Sequence, residues 1–452
     1  MYDLIVIGGG PAGGDASTLA TKAGLKTILI ERAHLGGVCL NEGCIPSKTL
    51  LNCAKRYGHA RHSEAYGVKT TGVSFDIRAA MQRKEKIIAA LRRGSEGSKK
   101  RLSIPVVKES ATILPPAEGL FRVAAGEQTL QGKRLLLCTG SQAIRPPIPG
   151  ADQPFVLTNR ELLSIDHIPE KLVIIGGGVI GLEFATFFSE TGSSVTVVEM
   201  LPDIAAMLDA DIRAALRKGL EKNGVTFHME CRVTAIGNHC VTFTDKNATA
   251  VTIPADTVLM SVGRRPDTDH LGLENLHVHC ERGAVVTDER CRTNIPDVWA
   301  AGDINGKVML AHTASREAQV AVNDMLGKAA RVNYDTIPNV IYTHPEVATV
   351  GLTLEQARAK GYDAVESTIP MTYNGRYLAE TEGERGVVKA VAQRSCGTVL
   401  GVHLYGGECS EMIHAATIII ENELRIRDVE DIVFAHPTVA EIIKDAIVDI
   451  KQ

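Results

Sequence analysis

The chain has 452 residues, with 49 Lys and Arg against 53 Asp and Glu and a net charge of −4. That length predicts two to four domains, and the charge balance excludes the strong basic field of a nucleic-acid binder. No apolar run reaches the ~18 residues of a membrane span, and the first strand is expected almost at Met1, so no leader is read and a cytoplasmic location is expected.

Leu4-Ile5-Val6-Ile7 has the pattern of a short buried strand. Gly8-Gly9-Gly10-Pro11-Ala12-Gly13 follows, then a helical stretch to about Ala23, then a strand Thr27-Ile28-Leu29-Ile30 ending at Glu31. This is the βαβ dinucleotide fingerprint in its proper context. Gly8 permits the tight turn, Gly10 lets a pyrophosphate approach, and Gly13 lets helix and strand pack closely. The helix N-terminus attracts phosphates, and Glu31 can accept from a ribose hydroxyl.

Cys39 and Cys44 come next, five positions apart in Gly36-Gly37-Val38-Cys39-Leu40-Asn41-Glu42-Gly43-Cys44-Ile45-Pro46-Ser47-Lys48. Zinc usually takes four ligands as two close pairs, and no second matching pair exists, so no metal is expected. A chance pair of buried thiols is the remaining bland reading. The adjacent fingerprint favours a redox dithiol beside a nucleotide. Cys44 is predicted at the start of a helix, since Pro46 suits an early helical position, and a helix N-terminus lowers a thiol pKa. Cys39 is predicted on the preceding loop. Lys48 lies one turn beyond Cys44 on the same helix side. The other cysteines (Cys53, Cys138, Cys231, Cys240, Cys280, Cys291, Cys396, Cys409) are scattered and read as free thiols.

Helices are expected at roughly 46–62 and 75–98. The basic cluster Arg92, Arg93, Lys99, Lys100, Arg101 reads as the solvated end of the second. A strand-rich segment then ends at Leu135-Leu136-Leu137-Cys138-Thr139-Gly140, and Pro146, Pro147 and Pro149 mark a linker.

The fingerprint recurs. Leu172-Val173-Ile174-Ile175 leads into Gly176-Gly177-Gly178-Val179-Ile180-Gly181, and the strand Ser194-Val195-Thr196-Val197-Val198 ends at Glu199. In both copies 18 residues separate the last glycine from the acid (13 to 31, 181 to 199). One chain thus carries two dinucleotide sites. A carboxylate at Glu199 repels a 2′-phosphate and no Arg follows closely, which favours NAD over NADP. Val258 to Pro266 is expected to close this unit. Trp299-Ala300-Ala301-Gly302-Asp303 reads as a strand ending in a turn with a carboxylate. From about Ala330 a separate C-terminal domain is expected. It ends in His436-Pro437-Thr438-Val439-Ala440-Glu441, a histidine with an acid placed to fix its tautomer.

The fingerprints, the block from Cys39 to Lys48, Cys138-Thr139-Gly140-Ser141, Leu182-Glu183, Val262-Gly263-Arg264-Arg265-Pro266, Ala301-Gly302-Asp303, Met309-Leu310-Ala311-His312, Ile341-Tyr342-Thr343-His344-Pro345-Glu346 and the terminal motif occur in one order. Over its whole length the chain resembles the flavoprotein disulfide reductases, and most closely their branch that oxidises protein-bound dihydrolipoyl groups with NAD. The resemblance implies an α/β fold with two Rossmann-like domains, for FAD and NAD, plus a C-terminal α+β dimerisation domain. The division is 1–145 (FAD, first part), 146–265 (NAD), 266–330 (FAD and central, second part) and 331–452 (interface).

It further implies that Cys44 faces the flavin and Cys39 meets the substrate. Lys48, paired with Glu183, would sit near flavin N5, and His436 with Glu441 would serve the cysteines of the other subunit of a homodimer. Gly8, Gly10, Gly13, Glu31, Ala111, Thr139, Gly140, Asp303 and Ala311 would contact FAD. Gly176, Gly177, Gly178, Val179, Ile180, Gly181, Glu199, Val233 and Gly263 would line the NAD site. The implied partner is a lipoylated protein of a 2-oxo acid dehydrogenase complex or glycine cleavage system.

His312 and His344 are read as packing or interface residues, and the bond between His436 and Pro437 as a candidate cis peptide. Glutathione-reductase-like and mercuric-reductase-like activities are the enzyme rivals, and a non-catalytic flavoprotein scaffold is the rival of another class. Val38, Glu42, Asp15 and Phe434 depart from the common pattern. Glu42 is expected to add negative charge beside the redox pair.

Overall fold

The computed structural model describes residues 1–451. Its first sheet is parallel, with strands in the order Val298–Ala300, Leu135–Leu137, Leu4–Ile7, Thr27–Ile30 and Val106–Val107. Leu4, Ile5, Val6 and Leu135 to Leu137 are fully buried, as continuous apolar runs in a doubly covered parallel sheet must be. Helix α1 (Pro11–Lys22) crosses between the first two strands. Its alanine face, Ala12, Ala16 and Ala20, shares a buried cluster with Ala314, Ala318 and Ala321.

Two helices follow, α2 (Gly37–Glu42) and α3 (Cys44–Arg61), and then the long α4 (Ile77–Arg101). Cys39 therefore sits in a short helix and not on a loop. Six residues are too few for an intrinsically stable helix. α2 is held by its own Asn41 and by side chains from elsewhere. Asn41 donates to the Leu35 and Gly37 carbonyls at 3.1 and 2.8 Å, Arg92 donates to Asn41, and Asn159 donates to the Glu42 carbonyl at 2.7 Å.

The basic end of α4 is also not a solvated face throughout. Arg92 is bound to Asn41, and Lys99 is only 5% exposed.

The short helix α5 (Asn159–Leu162) precedes a second parallel sheet, ordered Thr226–His228, Ser194–Val198, Lys171–Ile175, Thr257–Met260 and Val156–Leu157. Helix α6 (Val179–Thr191) follows the second glycine run, and α7 (Ala210–Lys222) covers the same sheet further on. The expected closing strand stops at Met260. Arg264–Pro266 turns away and pairs antiparallel with Ser141–Ala143. The chain then rejoins the first sheet at Val298–Ala300, and α8 (Ala311–Met325) packs on α1.

The C-terminal part is a five-stranded antiparallel sheet, ordered Asn339–Ile341, Glu346–Gly351, Val399–Gly406, Val387–Gln393 and Ala364–Pro370. The last helix, Glu441–Val448, packs its buried Ile442, Ile443 and Ala446 into this domain's core. The bonds between His344 and Pro345 and between His436 and Pro437 are both cis. Among the described residues no helix is long and apolar enough to cross a membrane, and no group of three metal-ligating side chains forms.

Candidate functional site

Both fingerprints have backbones that demand glycine. Gly8 has φ 103°, and a Cβ there would stand 2.1 Å from the Cys138 carbonyl oxygen. On Gly13 it would stand 1.9 Å from the Gly8 oxygen. Gly176 and Gly181 repeat the pattern, with Cβ distances of 2.3 Å to the Ser261 oxygen and 2.4 Å to the Gly176 oxygen. Gly10 and Gly178 instead face open space, with no neighbour of such a Cβ nearer than 3.8 Å at Gly10 and none within 4 Å at Gly178. Each of these two is the N-cap of its helix and offers no side-chain acceptor. The first-turn amides therefore remain free for an anion. The donors, the open approach and the two acids fit a dinucleotide diphosphate at each helix.

Glu31 accepts from the Gly9 and Ala33 amides, both at 2.7 Å. Glu199 is nearly fully buried and accepts from Gly177 and Leu201 at 2.6 and 2.7 Å. Each acid is thus fixed on its glycine loop. Gly263, in the strand-to-turn link after the second sheet, has φ 112°. The Val233 side chain is buried with Val173, Val198 and Phe243. Ala111 opens the strand Ala111–Ala117.

Cys44 is the first residue of α3, and its N-cap Gly43 carries no side-chain acceptor. Cys39 and Cys44 are both half-buried. The neighbouring Cys39 thiol is the main reason the Cys44 thiol drops to about 7; burial opposes the drop and the Lys48 charge aids it. Cys39 is pushed well above the ordinary thiol range by that same interaction and by burial. One thiol of the pair is thus the thiolate and the other holds the proton.

Lys48, one turn further along α3, binds both oxygens of Glu183 at 2.8 and 2.7 Å. Its ammonium also lies 4.4 Å from the Tyr342 ring centre. Glu183 is nearly buried on α6 and accepts from the Tyr342 amide at 3.2 Å. This one pair joins the cysteine helix, the second fingerprint helix and the C-terminal domain.

Glu42 does not face the redox pair as a bare charge. Arg160 grips it through Nε at 2.8 Å and Nη2 at 2.7 Å.

Asp303 lies in the turn after Val298–Ala300 and accepts from the Ser141 hydroxyl at 2.5 Å. Arg264 donates to the Ser141 hydroxyl and carbonyl, both at 2.8 Å. Thr139 donates to the Asp267 carbonyl at 2.5 Å. Gly140 has φ 79°. Ala311 starts α8, whose N-cap Leu310 again leaves the first amides free. Glu317, fully buried on α8, accepts from the Gly302 amide at 2.6 Å and from the Tyr334 hydroxyl at 2.7 Å. Ser141, Arg264 and Glu317 hold the Asp303 turn; Ser141 and Arg264 were marked only by their place in a motif, and no sequence signal marked Glu317. The fold thus sets the bonded Lys48–Glu183 pair beside Cys44, with Cys39 next to it, and ties Asp303 and Arg264 together through Ser141.

His436 and Glu441 stand apart. The His436 side chain is 82% exposed, and its Nδ1 lies 3.0 Å from Glu441. Glu441 also accepts from the Thr438 amide at 2.8 Å, which with His436 holds its carboxyl below the usual range. Within the chain His436 makes no hydrogen bond to either cysteine. His344 pairs with Glu190 at 2.8 Å, and His312 lies 2.8 Å from the Pro338 carbonyl oxygen, both as packing contacts.

The family model for pyridine nucleotide-disulphide oxidoreductases matches residues 2–318. The model for their dimerisation domain matches residues 337–447. The chain is 37% identical to a mitochondrial dihydrolipoyl dehydrogenase of Pisum sativum, covering 98% of this chain and 90% of the other. It is also 37% identical to a leghemoglobin reductase of Glycine max, covering 98% and 86%. Among solved structures, the HOCl-induced flavoprotein disulfide reductase RclA of Escherichia coli superposes with a TM-score of 0.87 at 29% identity, over the whole of both chains.

Proposed function

The chain belongs to the pyridine nucleotide-disulphide oxidoreductase family, and from that premise we propose that it oxidises protein-bound dihydrolipoyl groups to the cyclic disulfide and reduces NAD⁺, with FAD as resident cofactor. The observation that carries this reading is the Cys44 thiol, lowered to about 7 at a helix start beside the Lys48–Glu183 pair, between two nucleotide fingerprints. Gly8, Gly10, Gly13, Glu31, Thr139, Gly140, Asp303 and Ala311 would hold FAD, with Ala111 at its adenosine end. The Gly176 to Gly181 run, Glu199, Val233 and Gly263 would hold NAD. The division at 145, 265 and 330 is part of the same reading.

His436 accepts the first substrate thiol proton at Nε2, since Glu441 engages Nδ1. The substrate thiolate attacks the sulfur of Cys39, and the bond between Cys39 and Cys44 breaks. Cys44 leaves as the thiolate, stabilised by its helix start and by Lys48. His436 releases that proton to solvent and takes the proton of the second substrate thiol; this thiolate attacks the substrate sulfur of the mixed disulfide, the bond to Cys39 breaks, and His436 returns its proton to the departing Cys39. Lipoyl disulfide departs and Cys39 is left reduced. Bound FAD supplies the two-electron relay from this dithiol to the nicotinamide.

Because His436 is exposed and unconnected to the cysteines of its own chain, it acts across a homodimer. The exposed Tyr373, Leu378, Ile418 and Val433 of the same domain (55–92% exposed) suit such an interface. The lipoylated protein of a 2-oxo acid dehydrogenase complex or glycine cleavage system, and a cytoplasmic site of action, complete the proposal.

The test is turnover of FAD-loaded protein with dihydrolipoamide and NAD⁺, run beside NADPH with glutathione disulfide. NAD⁺ reduction in the first alone supports the reading. Activity in the second alone would move the chain to the glutathione-reductase branch.

A further inference from the structure

Lys99 is a lysine buried without a carboxylate. Its three N–H groups are all taken by neutral oxygens of one helix: the Gly14 carbonyl, the Ser17 hydroxyl at 3.0 Å and the Thr18 hydroxyl at 2.7 Å. Those three donors are all an ammonium has. The two hydroxyls in turn donate to the Gly14 carbonyl, each at 3.0 Å. Burying an ion this way is costly unless a partner of opposite sign offsets it. The helix concerned is α1, whose free first-turn amides are the phosphate cradle of the first fingerprint. Residues 14–18 lie roughly 5–11 Å along the axis from the start of that helix, Pro11. A bonded carboxylate would cancel the charge; the neutral acceptors do not, and Asp15 acts on it only at longer range.

We propose that Lys99 is a positioning residue for FAD, its charge, bound by neutral acceptors beneath α1 and offset only by the exposed Asp15, adding to the helix-start field that holds the cofactor diphosphate. This rests on reading the first fingerprint as the FAD site. Through a protein interior at that range, one charge is worth about ten-fold in affinity for a diphosphate after solvent screening.

Burial lowers Lys99 to about 8, with Asp15 opposing, so the charge is lost just above neutrality. The charged group acting on it is Asp15 on α1, and Glu96 and Lys100 on α4 and Lys108 beyond it line the same cavity as Lys99. By reciprocity, a ten-fold preference of FAD for the ammonium form raises the Lys99 pKa by about one unit on binding.

The experiment is titration of FAD-depleted full-length protein with FAD, read by flavin fluorescence, at about pH 7 and about pH 9.5. Wild type is expected to bind about ten-fold more weakly at the higher pH. Lys99→Met is expected to start about ten-fold weaker and stay flat with pH, while Lys99→Arg, which keeps the charge, follows wild type at about pH 7.

A Lys99 that served only packing would give the opposite result. Lys99→Met would then bind FAD as tightly as wild type, in a protein stabilised by loss of a buried charge, and would overturn the proposal. A flat wild-type series overturns it without any variant. Failure of wild type to bind FAD at either pH would overturn the cofactor reading, and this inference with it.

Discussion

Replacing Cys39 with Ala isolates the cause of the low Cys44 pKa. In the intact pair the Cys39 thiol proton is the largest influence pulling Cys44 down to about 7. Burial is the next in size and pushes upward, while Lys48 pulls down and Glu183 pushes up. Cys39→Ala removes the first and leaves burial, which pushes upward, as the largest influence remaining. The Cys44 thiol is then expected to return to the ordinary range, about 8.5 or above. At about pH 7 the thiolate fraction falls from about one half to about 3% or less. Cys39→Ser keeps a hydroxyl donor in the same place and is expected to fall between.

The assay is the pH dependence of iodoacetamide labelling of Cys44 in the FAD-loaded, reduced proteins, followed on the Cys44 peptide by mass spectrometry. Thiolate alone reacts, so the midpoint reports the pKa. A Cys39→Ala midpoint still near 7 would refute the reasoning and assign the depression to the start of α3 and Lys48.

Four further outcomes are expected. Glu42→Gln should move the Cys44 labelling midpoint by less than about 0.3 units, because Arg160 already pairs with Glu42 at the surface; a larger move would show that the carboxylate acts on the thiols. Glu199→Gln should narrow the ratio of kcat/KM for NAD⁺ over NADP⁺ by about ten-fold or more, and an unchanged ratio would argue against Glu199 as the discriminator. Gly13→Ala forces a Cβ to 1.9 Å from the Gly8 oxygen and is expected to cost about 2–3 kcal/mol and yield FAD-free protein, measurable by denaturant unfolding and flavin absorbance. Cys44→Ser and His436→Gln chains, each nearly inactive, should recover partial turnover as heterodimers; verified heterodimers that stay silent would remove His436 from a shared site.

The parts of this molecule written in local sequence were readable in it. The strands Leu4–Ile7 and Thr27–Ile30 coincide with their runs and are buried throughout, and Ser194–Val198 coincides with its run although Ser194 is exposed and Thr196 half-buried. The start of α3 near Cys44 was readable because Pro46 lies within the first turn, where its missing N–H costs nothing.

α2 was not readable: besides its own Asn41, it is held by Asn159 and Arg92, 117 and 51 residues from the groups they bind. The Arg160 grip on Glu42 was hidden for the same reason. Lys389 is the extreme case. It is buried among Asp209, Asp211 and Glu366, the first two on the N-terminal end of α7, and a charge in a strand pattern carries no sign of a partner 180 positions distant. Lys99 read as one more basic residue because nothing in its neighbours announces that it turns inward.

The late return of Val298–Ala300 to the first sheet sets an order on biosynthesis. When Leu135–Leu137 leaves the ribosome, its outer neighbour has not been made, and neither has the Asp303 turn nor the start of α8. The second parallel sheet is complete by Met260, so a nascent chain can finish it first. At about 5–20 residues per second the first sheet waits roughly 10–30 s with a bare edge. FAD capture is therefore a late event in synthesis: stalled chains ending before Val298 should fail to retain flavin, and chains ending past Met325 should hold it.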